Sequence, residues 1–226
     1  MKQKRILLLA MLALYPLLSL KAQQSGDWGS SLELTLTKKL FKGVSMSLSE
    51  EYRTRENFGT TDRFSHTLGV DYQLCRYLKV GGAYNLINYN HPSKGWEIRH
   101  RYYFYAAGSY SFSGFTMSLR ERFQSTYREG VEETTKRANP KLYLRSRLLL
   151  EYNITSTSFT PYTSFELFNS LNDPKGNSMD QVRLIGGVEY KLNKKSSFDA
   201  YYRYANKVDE DASVESIVGV GFKYKF

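Results

Sequence analysis

Cysteine and long apolar runs are what this chain of 226 residues most lacks. Cys75 is its only cysteine, which excludes an intramolecular disulfide and a cysteine-based metal site. After the first 20 residues, no apolar run reaches the length of about 18 that a transmembrane helix needs. The mean hydropathy of −0.49 is typical of a soluble protein. A membrane β-barrel escapes that test, however, because half of each strand faces a polar lumen.

The N-terminal segment has the composition of a secretory signal peptide. Residues 2–5 carry three positive charges, residues 6–20 are mostly apolar, and Ala22 offers a small residue for cleavage. We therefore expect residues 1–22 to be removed and residues 23–226 to form the mature protein, an outer-membrane β-barrel. All four charges in the leader are positive, so the formal net charge falls from +10 to about +6. A net positive charge this small does not predict nucleic-acid binding.

Eleven segments of the mature chain alternate between apolar and polar residues, which is the period of a β-strand. The last segment ends the chain with Phe222, Tyr224 and Phe226 on one face and Lys223 and Lys225 on the other. A closing strand with such an aromatic face is typical of outer-membrane barrels, and we expect the barrel-assembly machinery to bind it. Aromatic residues make up 15% of the chain, with 19 Tyr and 13 Phe, as the aromatic girdles of these barrels require.

The connections between these segments alternate in kind. Short turns recur every 36–43 residues, so the repeating unit is one long hairpin. Bacterial barrels place short turns in the periplasm and longer loops outside. We therefore predict an all-β fold, an up-and-down antiparallel transmembrane β-barrel of about 10–12 strands. The predicted short turns lie near Leu40, Arg76, Ser113, Ser156 and Lys194, and the predicted longer loops near Phe58, His91, Glu133, Asp173 and Glu210.

An odd number of strands conflicts with the even counts of single-chain bacterial barrels. If the short turns are periplasmic, the first segment, which begins near Trp28, would also start on the outside. Three arrangements are open. A strand has escaped the pattern, the first segment is not part of the wall, or the barrel is odd with one parallel seam.

Four stretches of the sequence carry a resemblance to a known family. They are the start Trp28-Gly-Ser-Ser-Leu-Glu-Leu, then Arg99-His-Arg-Tyr-Tyr, Tyr190-Lys-Leu-Asn-Lys-Lys and the final Gly221-Phe-Lys-Tyr-Lys-Phe. Together with the leader, they resemble the bacterial outer-membrane family catalogued as domain of unknown function 2490. The likeness spans nearly the whole mature chain. It implies an outer-membrane barrel without an assigned reaction, and it transfers no functional residues.

The faces opposite the apolar ones are rich in charge, and arginine outnumbers acid there. Lining a lumen, they would form either a basic passage that favours anions or an interior packed with Arg–Glu pairs and tyrosines. A barrel of about eight strands is filled by its own side chains, whereas one of about sixteen encloses an open channel. A barrel of about ten to twelve strands lies between these sizes, which favours a constricted or plugged lumen. The candidate lumen charges are Glu33, Glu51, Arg53, Arg55, Arg63, Asp71, Glu97, Arg99, Arg101, Arg120, Arg122, Arg145, Arg147, Glu151, Glu166, Arg183, Glu189 and Arg203, and the candidate filling rings are Tyr103, Tyr105, Tyr143 and Tyr201.

Little in the sequence points to catalysis. His66 and His100 fall on the apolar faces, and His91 falls in a predicted loop. No nucleophile elbow, phosphate loop or cluster of metal ligands is recognisable. We therefore predict no catalytic, cofactor-binding or metal-binding residues. Two acids, Glu50 and Glu121, also fall on the apolar faces, either near the loop ends of their strands or at a bulge that reverses the phase.

We expect a monomeric protein of the Gram-negative outer membrane that contacts lipid and lipopolysaccharide. Its function would be that of a small channel or a structural envelope protein with an arginine-rich, constricted lumen. One alternative is a membrane-embedded enzyme that modifies lipid or lipopolysaccharide with His66, His91 or His100. A second alternative is a soluble periplasmic barrel of the lipocalin kind, whose aromatic faces would point inwards. The sequence predicts neither a solute nor a partner protein.

Overall fold

The computed structural model describes residues 26–135, 138–207 and 213–226, and the predicted signal peptide at residues 1–22 lies outside them. The described chain forms eleven β-strands that close into a single barrel. The predicted all-β barrel is therefore confirmed, and its strand number falls within the predicted range. Within the described ranges, no helix is long and apolar enough to cross a membrane.

The strands follow the eleven alternating segments of the sequence in order. The shortest have 12 residues, which exceeds the 9–11 residues that a tilted strand needs to cross the hydrocarbon layer. They are β1 (Asp27–Phe41), β2 (Val44–Arg55), β3 (Thr60–Cys75), β4 (Leu78–His91), β5 (Gly95–Phe112), β6 (Phe115–Arg128), β7 (Lys141–Tyr152), β8 (Phe159–Ser170), β9 (Met179–Lys191), β10 (Ser196–Lys207) and β11 (Val214–Lys225).

A parallel seam between β1 and β11 closes the barrel. Every other neighbouring pair is antiparallel, whereas β1 and β11 run side by side from Asp27↔Glu215 to Thr37↔Lys225. Of the three arrangements left open by the sequence, the odd barrel with one parallel seam is the one observed. It follows that β1 starts at the same end of the barrel as β11 and as the predicted longer loops.

Four of the five turns at one end of the barrel are short, as predicted, whereas the predicted short turn near Ser156 is a longer connection over residues 153–158. Residues 42–43, 76–77 and 113–114 are two-residue turns, and this end is called the turn end below. At the opposite loop end, the predicted longer loops near Phe58 and His91 are wrong. The strands there stay paired almost to their tips, at Arg55↔Thr60 and at His91↔Gly95. The predicted loop at Glu210 lies outside the described residues.

Side chains alternate between the outer and inner surfaces along the strands. Large apolar side chains on the outer surface remain exposed, for example Phe104 at 68% and Leu32 at 55%. On the inner surface, Ile87 and Ile217 are almost completely buried. The inward aromatic faces that the lipocalin-like alternative predicts are therefore not observed.

Candidate functional site

The inner wall of the barrel carries the charged residues that the sequence points to. All of the candidate lumen charges except Glu33 are buried or half-buried, and they alternate with the exposed apolar residues of the same strands. Alternation along a pleated strand is the physical cause, because successive side chains point to opposite faces. The inner wall is therefore the most highly charged enclosed surface of the described chain.

Glu166 is the centre of one ion cluster on this wall. Its side chain is only 2% exposed and accepts hydrogen bonds from Arg120 at 2.8 Å and Arg145 at 2.9 Å, while Arg183 lies at 3.5 Å. These residues belong to β6, β7, β8 and β9, so the cluster crosses four neighbouring strands. Arg145 and Arg183 also lie over the Phe168 ring, at 4.2 and 4.7 Å. One carboxylate thus compensates three guanidinium groups.

Arg53 on β2 is the centre of a second cluster. It pairs with Glu51 at 2.6 Å and lies 3.8 Å from Glu215, which reaches it from β11 across the intervening β1. Ser31 on β1 donates a hydrogen bond to the Glu51 carboxylate at 2.9 Å. Arg203 on β10 faces the same region but has no carboxylate within 4.0 Å among the described residues. The seam strand β1 is therefore bridged on its inner side by charge.

Near the loop end, the guanidinium groups of three arginines lie close to the Tyr89 ring. The guanidinium carbon of Arg99 lies 3.6 Å from the ring centroid, that of Arg63 at 5.3 Å and that of Arg55 at 6.0 Å. Arg99 also donates a hydrogen bond to Glu97 at 3.0 Å. Stacking of this kind stabilises guanidinium groups without neutralising their charge.

Five inner-wall arginines lack a carboxylate within 4.0 Å in the part of the chain that the structure describes. They are Arg128 near the loop end and, in the middle of the lumen, Arg101, Arg122, Arg147 and Arg203. Arg122 instead stacks on the Tyr103 ring at 4.0 Å. Arg101 donates a hydrogen bond to the Thr126 hydroxyl at 3.2 Å, which leaves its charge uncompensated. The middle of the lumen therefore carries uncompensated positive charge.

The turn end of the lumen differs from its middle. Its inward charged residues include Glu33, Asp71, Lys79, Glu151, Glu189, Asp199 and Lys223. Lys223 pairs with Glu189 at 3.0 Å, and Lys79 lies 3.7 Å from Asp71. The charge of the inner wall is therefore segregated along the barrel axis, with carboxylates and lysines at the turn end and arginines in the middle.

Three of the tyrosines predicted to fill the interior brace the wall. Tyr105 donates a hydrogen bond to Asp71, and Tyr143 donates one to Asp180 at 2.9 Å. The Tyr201 ring lies against Gly219 on the neighbouring strand, where an added Cβ would sit 2.1 Å from a ring atom. A glycine is required at that position because the ring occupies the space that any side chain would need.

A family model described as "Protein of unknown function (DUF2490)" matches residues 28–214. The chain belongs to this family. The matched range starts inside β1 and ends at the first residue of β11, which confirms the resemblance seen in the sequence. No curated protein matches the DUF2490 barrel.

Two solved structures are similar to the DUF2490 barrel. "NanC porin structure in rhombohedral crystal form" has 15% sequence identity and a TM-score of 0.58, over 88% of this chain and 99% of the porin chain. The β-domain of the Bordetella autotransporter Brka also has 15% identity, with a TM-score of 0.48, over 83% of this chain and 86% of that domain. The likeness to the porin shows the fold alone, and the second likeness is too distant to support an argument.

The three histidines of the DUF2490 barrel lie outside the arginine-rich region. His66 pairs with Glu50 on the outer surface. His100 bonds Tyr84 and Glu129 at 2.7 Å each, which ties the outer surface of β5 to the connection after β6. His91 at the loop end bonds only Ser93 in the described chain, at 3.2 Å. None of these pairs unites a serine, a histidine and a carboxylate, so the geometry gives the enzyme alternative no specific support.

Glu50 and Glu121 both lie on the outer surface, in the middle of their strands. The pairing of β2 with β3 shifts only at Arg53/Thr54, and β6 pairs without a shift, so a bulge does not explain either residue. Glu121 accepts a hydrogen bond from Ser146 at 2.7 Å. Each outward acid is thus held by a neighbouring polar side chain.

Sequence reasoning missed several inward carboxylates. They are Asp62, Asp180, Asp199 and Glu215. Asp62 is 4% exposed and pairs with Arg63 at 2.6 Å, and the register shift at Arg53/Thr54 breaks the strict alternation that would have separated the two residues. Glu215 keeps the phase of Gly219 and Lys223, so the alternation of the last strand could have identified it. No group of three or more metal-ligating side chains occurs in the described ranges.

Proposed function

We propose that the DUF2490 barrel is an integral protein of the outer membrane of a Gram-negative bacterium, in which its lumen forms a narrow passage that favours anions. The closed sheet supports the membrane position, since a closed barrel satisfies its backbone groups between strands and has no free edge. The exposed apolar side chains of the outer surface would contact lipid and lipopolysaccharide.

Aromatic rings cluster near both ends of the outer surface, as membrane barrels require. At the turn end, Phe115 packs on Tyr152 with ring centroids 4.5 Å apart. At the loop end, Tyr52 and Trp96 lie on either side of Phe64, at 5.1 and 5.8 Å. Two such bands fit the headgroup regions on either side of an apolar layer.

The observation that carries the proposed selectivity is the imbalance of charge in the middle of the lumen. Eight inner-wall arginines there have only the carboxylates of Glu51, Glu166 and Glu215 within 4.0 Å among the described residues. Fixed positive charge along a pore attracts anions and repels cations. These arginines are Arg53, Arg101, Arg120, Arg122, Arg145, Arg147, Arg183 and Arg203.

Burial of the same side chains supports a narrow bore. Arg53 is 7% exposed, Arg145 and Arg203 are 6% exposed, and Glu166 is 2% exposed. A wide, water-filled channel would leave side chains on its wall open to solvent. Eleven strands also lie close to the size at which side chains fill a barrel.

Reconstitution in planar bilayers tests this function. We expect small conductance steps with a chloride permeability above that of potassium. Arg101→Glu/Arg122→Glu should shift the reversal potential towards cation preference, because it reverses two charges in the middle of the lumen. Lys42→Glu/Lys94→Glu makes the same change in net charge on turn residues and should leave the selectivity close to that of the wild type. Silent membranes at high protein load would exclude the passage and leave a structural envelope role.

A further inference from the structure

A grid of four arginines occupies the inner wall where β6 and β7 meet. Arg120 is the direct cross-strand partner of Arg147, and Arg122 is the partner of Arg145. Along each strand the two arginines are separated by one residue, so all four point to the same side. Like charges placed directly opposite each other on neighbouring strands are destabilising. The fold therefore holds two repulsive pairs side by side at one site.

The carboxylates near the grid do not neutralise it. Glu166 bonds Arg120 and Arg145 on the side of β8, whereas Arg122 and Arg147 have no carboxylate within 4.0 Å among the described residues. Arg145 also donates a hydrogen bond to Gln124 at 2.7 Å. The grid thus keeps more positive charge than one carboxylate compensates.

The donors of the grid are also incompletely used. In the described structure, the Nε–H groups of all four arginines are buried and have no hydrogen-bond partner. Arg145 is itself only 6% exposed. Buried guanidinium donors without acceptors are costly, and a folded protein normally satisfies them with a partner.

We propose that this grid is a binding site for an oxyanion group of charge −2, such as sulfate, a phosphate or a dicarboxylate. The planar fork of arginine pairs bidentately with carboxylate and phosphate oxygens, which a halide cannot reproduce. The Cβ atoms of cross-strand partners lie about 5 Å apart, and those of alternate residues along one strand about 7 Å apart. Several forks can therefore meet one tetrahedral oxyanion or two linked carboxylates. Tyr103, which stacks on Arg122, keeps one edge of the site aromatic.

The proposal names the class of anion that the lumen holds and rests on the proposed anion-favouring passage, but binding can be measured without conduction. The test is calorimetric titration of the full barrel in detergent micelles with sodium sulfate and with inorganic phosphate, against sodium chloride at equal ionic strength. We expect saturable binding of sulfate and phosphate and none of chloride.

Arg122→Gln/Arg147→Gln should weaken sulfate binding at least about tenfold, as expected when two charged donors are lost. Lys79→Gln/Lys223→Gln removes the same charge from the turn end and should change the affinity by less than about twofold, because the longer distance weakens the Coulomb interaction. Arg122→Lys/Arg147→Lys keeps the charge but loses the forks and should bind with intermediate affinity. Heat-dependent gel migration identifies folded variants, so the lysine variant tests the site even if the glutamine variant fails to fold.

Three results would overturn the site: no saturable binding of sulfate or phosphate by the wild type, equal losses in the grid and turn-end variants, or unchanged binding in the grid variants. Saturable sulfate binding by a protein that does not conduct in bilayers would instead contradict the proposed passage and support the binding site. Anion-selective conduction without saturable sulfate binding would support the proposed passage and contradict the binding site.

Discussion

At the scale of single residues, Glu166 is the position on which the arginine-rich wall most depends. Its carboxylate contacts Arg120, Arg145 and Arg183 and is almost fully buried. We expect Glu166→Gln to lower the free energy of unfolding by about 3–5 kcal/mol, because removing one partner leaves buried charges uncompensated. The measurement is denaturant unfolding of the barrel in lipid vesicles, followed by tryptophan fluorescence.

The matched control for this change is Glu189→Gln. Glu189 pairs with Lys223 at 3.0 Å near the turn end, where both side chains keep contact with solvent. A partly exposed pair contributes only about 0–1 kcal/mol, so the control should unfold close to the wild type. Equal losses in the two variants would mean that the Glu166 cluster has no special role in stability.

The inward position of residues such as Arg147 and Glu166 could be predicted from the sequence, because alternation fixes which face a side chain occupies. Their contacts could not. Arg120 on β6 reaches Glu166 on β8 across the intervening strand, and such a diagonal depends on the registers of two strand pairs. Asp62 shows the same limit, since its inward position follows a register shift that no local pattern reveals.

At the scale of strands, the seam between β1 and β11 sets this barrel apart from one with an even count. Its direction can be tested with paired cysteines in a Cys75→Ser background. In the parallel register Leu34 lies beside Phe222, and neighbouring strands are about 4.8 Å apart, within the range that a disulfide spans. We therefore expect Leu34→Cys/Phe222→Cys to form a disulfide on oxidation, read as a change in migration on a non-reducing gel.

The control pair for the seam is Leu34→Cys/Val218→Cys. In the parallel register, Val218 lies opposite Ser30, four residues from Leu34, or about 13 Å along the strand. An antiparallel seam centred on Leu32 and Val220 would bring this pair together and separate the first. Cross-linking of the control pair without the first pair would contradict the parallel seam.

The strands themselves were predictable from alternation, whereas the seam was not. Alternation has the same period in parallel and antiparallel strands, so the pattern of β1 contains no information on its direction. The short connections at 56–59 and 92–94 were missed for a related reason. Polar residues at a strand tip can belong to a loop or to the inner face, and the sequence around Glu97 fits both descriptions.

At the scale of the whole molecule, the lengths of the connections suggest a testable orientation, because the two longest ones, after β6 and after β8, both lie at the loop end. If the turn end faces the periplasm, the connection between β6 and β7 starts on the outside. Cys75 is exposed at the turn end, beside the turn at 76–77, and serves as a natural probe. Glu132 is exposed shortly after the end of β6 and offers the matching position for an introduced probe.

We expect a maleimide carried on a polymer too large to cross the outer membrane to leave wild-type Cys75 unmodified in intact cells and to modify it after the envelope is broken. Cys75→Ser/Glu132→Cys should be modified in intact cells. The two proteins carry one thiol each and differ in the end of the barrel at which it is exposed. The labelling of intact cells is divided by that of broken cells, which corrects for differences in expression. The reverse labelling pattern would mean that the barrel has the opposite orientation in the membrane. The exposed apolar rows on the outside of the closed barrel need lipid to cover them, so we expect the protein in the membrane fraction. Recovery of the protein in the soluble periplasmic fraction would contradict the membrane position.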